Sequence, residues 1–554
     1  MAFSPGLNEE PPHNLNAEAV DTCLTVALIM KAKPVDEIHV MRKIVIDGSS
    51  TTGFQRTAVI ALGGEIEVDE RKVPIQTICL EEDAARKTGE ENLITHYRLD
   101  RLGIPLIEVA TAPVIHSPSE AGRVALAIGR ILRATGKAKR GLGTIRQDLN
   151  VSIPDGALIE IKGVQELEAL PVVVEYEVQR QLNLLSIRDE LRKRGTRKTE
   201  IKAEFVDVTP IFKETKCRVM RSAFERGGKV FAVKLSKFAG LLSIELAPGV
   251  RLGTELSDRA CFWGRVGGIF HTDEMPSYGV TLGEVEELKR FLKCDTLDAV
   301  VFVADKSENA SDALRAVVER AREAVDGVPS ETRGPKPDGT TRYERPRPGV
   351  ARMYPETDVP PVPVTKERLK RIKAALPELP EQKLNRLMKR YELNRKLAEQ
   401  VINSEYAELF EEIAQTTKVS SSVIATVLTE IMKSLKREGI EVGKLSDEQI
   451  ESVFKLVDLG VTAKESIPDI LAWLTRNEEA TPEQAIEALG LKAISTAELE
   501  AIIDRILKEN TALIRERGVK AQDPLMGMVM KEVRGKADAK LVNDLIKKKL
   551  EKQP

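Results

Sequence analysis

A chain of 554 residues, 42% hydrophobic and 31% charged, holds apolar material for about three or four domains and requires no disordered tract. No run approaches the roughly 18 apolar residues of a membrane span, and Met1 to Asn16 lacks the basic start and apolar centre of a signal peptide, so a cytoplasmic protein with no membrane partner is expected. The net charge of −2 neither suggests nor excludes nucleic acid, and five widely spaced cysteines with no CxxC read as reduced thiols, not a zinc site or disulfide frame.

The first predicted element is an apolar-rich helix from Ala17 to Ala32. From His39 to about Lys213 the pattern is α+β. Strand-like runs occur at His39–Ile46, Val59–Leu62, Val73–Leu80, Ile104–Thr111, Thr144–Ile153 and Leu158–Ile161. Ile66-Glu67-Val68 and Val73 suggest a hairpin turning at Asp69-Glu70-Arg71-Lys72. Ser117 is placed to cap a helix that Gly136 ends, and a second helix is predicted from about Leu170 to Arg194. Strands separated by long gaps, with helices collected elsewhere, argue for a mixed sheet with helices on one side.

Residues 214–330 read as a separate α+β unit. Its predicted strands are Val230–Leu235, Leu241–Val250, Gly268–His271 and Ala299–Val303. Helices start at Thr281 and run from Ala310 to Val325. Residues 330–350 are rich in Pro, Gly and charge and are expected to be a linker or mobile loop. After Val364 the chain is nearly all helix. Residues 511–554 carry eleven Lys/Arg against six Asp/Glu, including Lys547-Lys548-Lys549. Such a basic surface suits a polyanion, although a solvated charged helix has the same composition.

The most informative segment is Thr144–Ile153. Thr144, Arg146, Asp148, Asn150 and Ser152 fall on one face of a strand and Ile145, Leu149, Val151 and Ile153 on the other, with Gln147 the exception. Leu158–Lys162 repeats the pattern and adds Glu160 and Lys162 to a polar face. Two such strands make a floor of carboxylates, an arginine and a lysine, suited to a metal and a phosphate. The solvated face of an antiparallel sheet has the same alternation. Glu81-Glu82-Asp83 close an apolar strand, where oxygen ligands can hold Mg²⁺ or simply form a charged turn. Glu108 interrupts the apolar run Ile104–Val109, and an acid buried there needs a partner or a metal. The proline-stiffened segment from Arg352 to Pro361 can present Arg352, Glu356 and Asp358. There is no strand–GxxxxGK[ST]–helix loop, no HExxH and no nucleophile elbow, so chemistry must run on carboxylates, lysines and arginines.

Four motifs in series carry a resemblance: Glu81-Glu82-Asp83-Ala84, Tyr97 through Glu108, Arg146-Gln147-Asp148-Leu149-Asn150-Val151-Ser152 and Glu160-Ile161-Lys162-Gly163. With Tyr354-Pro355-Glu356-Thr357-Asp358, they resemble the B/E subunit family of tRNA-dependent amidotransferases. His39–Gly48 and Gly53-Phe54-Gln55-Arg56-Thr57 look like its archaeal E branch, which acts on glutamyl-tRNA(Gln). Gly253-Thr254-Glu255-Leu256 and Ile269–Gly279 resemble the insertion shared by that branch and bacterial-type aspartyl-tRNA synthetases. Met526–Asn543 is similar to the family's tail.

The resemblance implies an α+β cradle over 1–213 completed by 335–365, an α+β insertion over 214–334, a helical domain over 366–415 and a tRNA-binding helical tail over 416–554. It implies a carbon–nitrogen ligase that binds ATP and Mg²⁺, phosphorylates the glutamyl side chain of Glu-tRNA(Gln) and aminates it to Gln-tRNA(Gln). Ammonia would come from an asparaginase-like D subunit in a heterotetramer of two D and two E chains. By position in the matched motifs, Glu82, Asp148 and Glu160 are expected at the metal. Arg42, Lys43 and Asn150 are expected at the nucleotide, and Arg146, Lys162 and Glu108 at the reacting groups. Family members usually begin with Gly-Leu-Glu-Ile-His and a further stretch before the region matching Glu9-Glu10-Pro11-Pro12. Part of the metal site is expected in that segment, so a fragment, a mis-started reading or a compromised activity is anticipated. A non-catalytic tRNA-binding protein on the same scaffold is the alternative.

Overall fold

The computed structural model describes residues 12–45, 51–91, 94–139, 141, 143–347, 353–517, 521–533 and 535–550. Arg352, Ile46 and Glu9 to Pro11 lie outside the described residues. The chain forms two compact units, Met1–Ala138 with Leu142–Leu376, and Lys139–Gly141 with Pro377–Pro554.

The first unit opens with the helix Ala17–Ile29, whose start is fixed by the Asn16 side chain accepting the Ala19 N–H. Val20, Cys23, Leu24 and Ala27 bury one face of this helix in a core shared with Ile60, Ile78 and Leu80. Those last three belong to a seven-stranded sheet whose main path is Met353–Pro355, Val40–Ile44, Phe54–Leu62, Arg71–Glu82 and Glu65–Val68. Pro105–Thr111 pairs antiparallel along Arg71–Glu82. The hairpin turn is tighter than expected. Asp69 and Glu70 both take positive φ (51° and 63°), the geometry of a two-residue turn, so Arg71 and Lys72 are already in the strand.

A second sheet is mixed. Its order is Gln147–Val151, Ile159–Val164, Glu331–Pro335, Thr341–Pro346, with the central pair parallel. Val151, Ile159, Ile161 and Val164 pack its apolar face against Leu170 and Val173 of the helix Leu170–Lys193. The polar stripe keeps its alternation of exposure from Thr144 to Ile153, although pairing covers only Gln147–Val151 and is itself interrupted by a bulge between Gln147 and Leu149. The α+β class therefore holds.

Residues 331–346 are a hairpin of this sheet, not the expected loop. The composition misled for physical reasons. Glu331 and Arg333 are charged but wholly buried in ion pairs. Gly339 supplies the positive φ (84°) before the return strand, and a Cβ at Gly334 would strike the Glu344 carboxylate.

The inserted unit is built on Lys229–Leu235 paired antiparallel with Ala299–Asp305. Ala299 to Val303 is buried throughout because apolar clusters cover both sheet faces, which is why the run lacks alternation. The strand expected over Leu241–Val250 is replaced by two short ones, Glu245–Ala247 and Val250–Arg251, around Gly249. Leu241 and Leu242 are buried ahead of them in a turn.

The helix Lys366–Ala374 stays with the first unit, since Arg368 and Arg371 both bind Asp21 (2.6 and 2.7 Å) and Ile372 joins that core. The second unit is helical, with one core spanning Leu384 to Leu491 and another spanning Leu499 to Leu550. Among the described residues no helix is long and apolar enough to cross a membrane.

Candidate functional site

The polar face of the mixed sheet carries the first half of the site. Antiparallel pairing sets Asn150 opposite Glu160. Lys162 Nζ lies 3.2 Å from both Asp148 Oδ2 and Glu160 Oε1, an ammonium between two carboxylates. Asp148 Oδ1 also accepts the Gly163 N–H at 2.8 Å, and Thr332 Oγ1 donates to Glu160 Oε2 at 2.8 Å. Burial opposes the charge on Lys162, but Asp148 and Glu160 outweigh it and raise its pKa.

The seven-stranded sheet supplies the second half. Arg42 grips Glu356 through two bonds of 2.7 and 2.6 Å, and Arg56 reaches the same carboxylate at 3.1 Å and Glu82 at 3.4 Å. Both guanidiniums lie over the Phe54 ring, 4.9 and 5.2 Å from its centre. The Arg42 hydrogen bonds hold the Glu356 carboxyl below the usual range, whereas burial pushes Glu82 up despite Arg56. Lys43 pairs with Glu81 at 3.4 Å, and Gln55 donates to Glu81 (3.2 Å) and to the Glu82 carbonyl (2.9 Å). Arg146 spans to Asp83 at 3.5 Å and so joins the two sheets.

Glu108 departs from its expected burial. It opens to solvent along its strand, opposite Cys79. Its carboxyl nevertheless lies close to Glu81, Lys43 and Asp148. Desolvation there, with the hydrogen-bonded Glu81 carboxyl and the charge of Asp148, pushes its pKa up to about 7.

The structure thus gathers Asp148, Glu160, Lys162 and Asn150 on one sheet, and Arg42 and Glu82 on the other, with Lys43 and Glu108 beside Glu81. Glu82 is engaged by Arg56, not by the Asp148–Lys162–Glu160 group. Among the described residues no three His, Cys, Asp or Glu side chains form a ready metal cluster. Sequence reasoning missed Arg56 as a direct partner, although it stands in the Gly53–Thr57 motif, and Thr332, which lay in the supposed loop. It also missed Glu344, another acid of this cleft whose pKa burial raises.

The donor chemistry fits a hard divalent ion. Every acidic donor is a carboxylate, and burial pushes Glu82, Glu108 and Glu344 up, so each gains from an incoming cation. The bases Arg42, Lys43, Arg146 and Lys162 around those carboxylates suit a phosphate chain.

Residues 2–370 match the GatB/GatE catalytic domain and residues 408–550 the GatB domain. The chain is 51% identical over 546 residues to the E subunit of glutamyl-tRNA(Gln) amidotransferase from Methanocaldococcus jannaschii, covering 98% of this chain and 86% of that one. It is 49% identical to the E subunit from Thermococcus gammatolerans over 98% and 86% of the two chains. For the E subunit from Aeropyrum pernix the figures are 50%, 98% and 85%. The chain belongs to the GatB/GatE family, as a ligase-type amidotransferase subunit of the E group.

Proposed function

We propose that this subunit converts Glu-tRNA(Gln) to Gln-tRNA(Gln) by phosphorylating the glutamyl side chain with ATP and then aminating it. The observation that carries this reading is the Lys162 ammonium, 3.2 Å from both Asp148 and Glu160, on a sheet face that Arg146 ties to the arginine- and lysine-bearing second sheet. The E-type relatives, whose names specify glutamyl-tRNA(Gln), support the substrate.

Asp148 and Glu160 are the residues that would hold Mg²⁺, joined by Glu82 on its release from Arg56, and the ion when bound neutralises phosphate charge. Arg42 and Lys43 bind the nucleotide phosphates, and Asn150 hydrogen-bonds beside them. Arg146 and Lys162 stabilise charge on the phosphoryl group in flight, the main demand of such a transfer. The Glu108 carboxylate takes the proton that incoming ammonia sheds as the carbon–nitrogen bond forms. Phosphate leaves as the amide is made.

Among the described residues of this cleft the Cys79 thiol is pushed up to about 11 by burial and the Thr332 hydroxyl is spent on Glu160, so neither is an activated nucleophile for hydrolysing an amide donor. Ammonia therefore comes from a partner, an asparaginase-like D subunit, in a cytoplasmic assembly of two D and two E chains. The helical tail holds the tRNA away from its acceptor end through phosphate contacts, with exposed Lys547 and Lys548 as contributors. The test is conversion of Glu-tRNA(Gln) by the full-length subunit with ATP and each nitrogen source in turn. Ammonium salts should suffice without a partner, whereas asparagine should work only with the D subunit. Efficient use of asparagine by the isolated chain would refute the division of labour.

A further inference from the structure

The inserted unit carries a feature that the phosphoryl-transfer site does not use. Phe262 and Trp263, in the last turn of the helix Leu252–Gly264, are 51% and 52% exposed. The two large aromatic side chains stand side by side, half in water.

Their exposure is built in. Gly264, the next residue, is buried, and any Cβ on it would collide with the backbone and Cβ of Ala313 on the helix Ser307–Asp326. The last turn is thus pressed against that helix at Gly264, and Phe262 and Trp263 are turned away from it. Arg265 then takes a left-handed conformation (φ 54°), ends the helix and is itself exposed.

The two rings are ordered by their neighbours. Phe262 meets Trp263 edge-on at 5.2 Å and Tyr343 edge-on at 5.6 Å, and the Arg259 guanidinium lies 4.0 Å over the Tyr343 ring. Tyr343 belongs to Thr341–Pro346, the edge strand of the mixed sheet. On the same strand Glu344 interacts with Lys162, Glu160 and Asp148, so the aromatic group is anchored to the strand that borders the candidate site. Cations accompany the rings. Arg342 precedes Tyr343 and is exposed, and Arg342 and Lys336 both act on Asp258, one helical turn before Phe262.

Rigid, partly exposed aromatics with arginines at their edge are the components of a base-stacking platform. A stable protein partner needs roughly 800 Å² from each side. Two half-exposed rings offer only about 200 Å², which is ample for one or two bases. We propose that Phe262 and Trp263 stack unpaired nucleotides of the RNA substrate as it approaches the edge of the mixed sheet, with Arg265 and Arg342 facing its phosphates. The inference rests on the tRNA-directed function above and adds a contact made by the inserted unit.

The chain has two tryptophans, Trp263 and Trp473, so fluorescence isolates the site. In the full-length Trp473→Phe variant, titration with a tRNA(Gln) transcript should quench Trp263 emission saturably. Trp263→Ala should weaken transcript affinity by roughly 5- to 50-fold, since stacking contributes on the order of one to a few kcal/mol per base. Trp263→Tyr should recover most of that loss, and all variants should unfold at the parental temperature. Unchanged affinity in Trp263→Ala, with the wild-type subunit binding normally, overturns the platform alone. A variant that binds the transcript normally but loses association with the ammonia-supplying subunit overturns it in favour of a protein interface. Failure of the wild-type subunit to bind the transcript overturns both the platform and the function on which it rests.

Discussion

Two clusters of charge share one strand, Glu331–Pro335, and they differ in kind. On one side Glu331 and Arg333 enter a dry network. Arg180, Arg259, Arg320 and Arg333 meet the buried Glu177, Glu255 and Glu331, with the partly exposed Glu323 at the edge beside Arg259, at separations such as 3.0 Å for Arg180–Glu255 and 2.7 Å for Arg320–Glu255. On the other side Thr332 turns to Glu160 and the open cleft. There, among the described residues, Glu81, Glu82, Asp83, Glu108, Asp148, Glu160, Glu344 and Glu356 stand among Arg42, Lys43, Arg56, Arg101, Arg146, Lys162 and Arg342.

The titration directions differ between individual groups of the two clusters. Glu255 and Glu331 are held below the usual carboxylate range, because the arginines outweigh the cost of burial. Glu82, Glu108 and Glu344 are pushed above it. Burial of charge is therefore a poor mark of function in this molecule.

The comparison breaks most visibly at the network. Glu331→Gln strands parts of Arg180, Arg259 and Arg333 in a dry interior and should cost about 3–5 kcal/mol, read by urea unfolding of the subunit. The wild type should also lose this contribution as pH falls, since both glutamates have depressed folded values. The stability they supply is present above the unfolded carboxylate pKa and disappears as pH drops through the folded one. A destabilisation below about 1 kcal/mol, against the expected loss, would mean that water enters and compensates.

The open cluster should behave oppositely. Asp148→Asn keeps the size of the side chain and an acceptor for the Gly163 N–H, but removes one of the two carboxylates that flank Lys162. Amidation should fall by about 10²–10³-fold, the usual cost of a misplaced charge stabiliser, with unfolding and tRNA affinity nearly unchanged. Full ATP turnover by this variant would remove Asp148 from the site.

The sequence showed the open cluster better than the dry one, and the reason is geometric. Alternation from Thr144 to Ile153 is a local signal of period two, and its exposure pattern survives in the fold even across the bulge at Gln147. The helix Pro118–Ala134 was equally legible, because Ser117 accepts the Glu120 N–H as an N-cap should. The dry network draws on segments as far apart as Glu177 and Arg333, and nothing local distinguishes a buried Arg333 from a solvated one. Glu331, Arg333, Pro335 and Gly339 therefore read as a linker. Glu108 failed in the opposite sense, since an acid in an apolar strand suggested burial, whereas the pleat turns it toward the open cleft.

The smallest expected effect is the sharpest test of the contrast. Burial and the neighbouring Glu81 carboxyl raise Glu108 to about 7, so it is a group of the cleft that changes charge near neutrality. If its carboxylate accepts the proton from ammonia, amidation at fixed free ammonia should rise with pH through about 7 and level off above it. Glu108→Gln should flatten that rise while lowering the plateau by about tenfold, at the modest end for a proton acceptor. Stability should run the other way. A folded value above the ordinary 4.5 means that the folded chain favours the protonated form, so its contribution is full at low pH and is lost as pH rises from about 4.5 to 7. The loss should be small, because the residue is open to water, and it should vanish in Glu108→Gln when urea unfolding at pH 5 and pH 8 is compared. The dry network loses stability toward acid and this pair loses it toward neutrality, so the two slopes separate in one titration. A Glu108→Gln variant with the parental pH–rate profile would assign the proton to another group in the cleft.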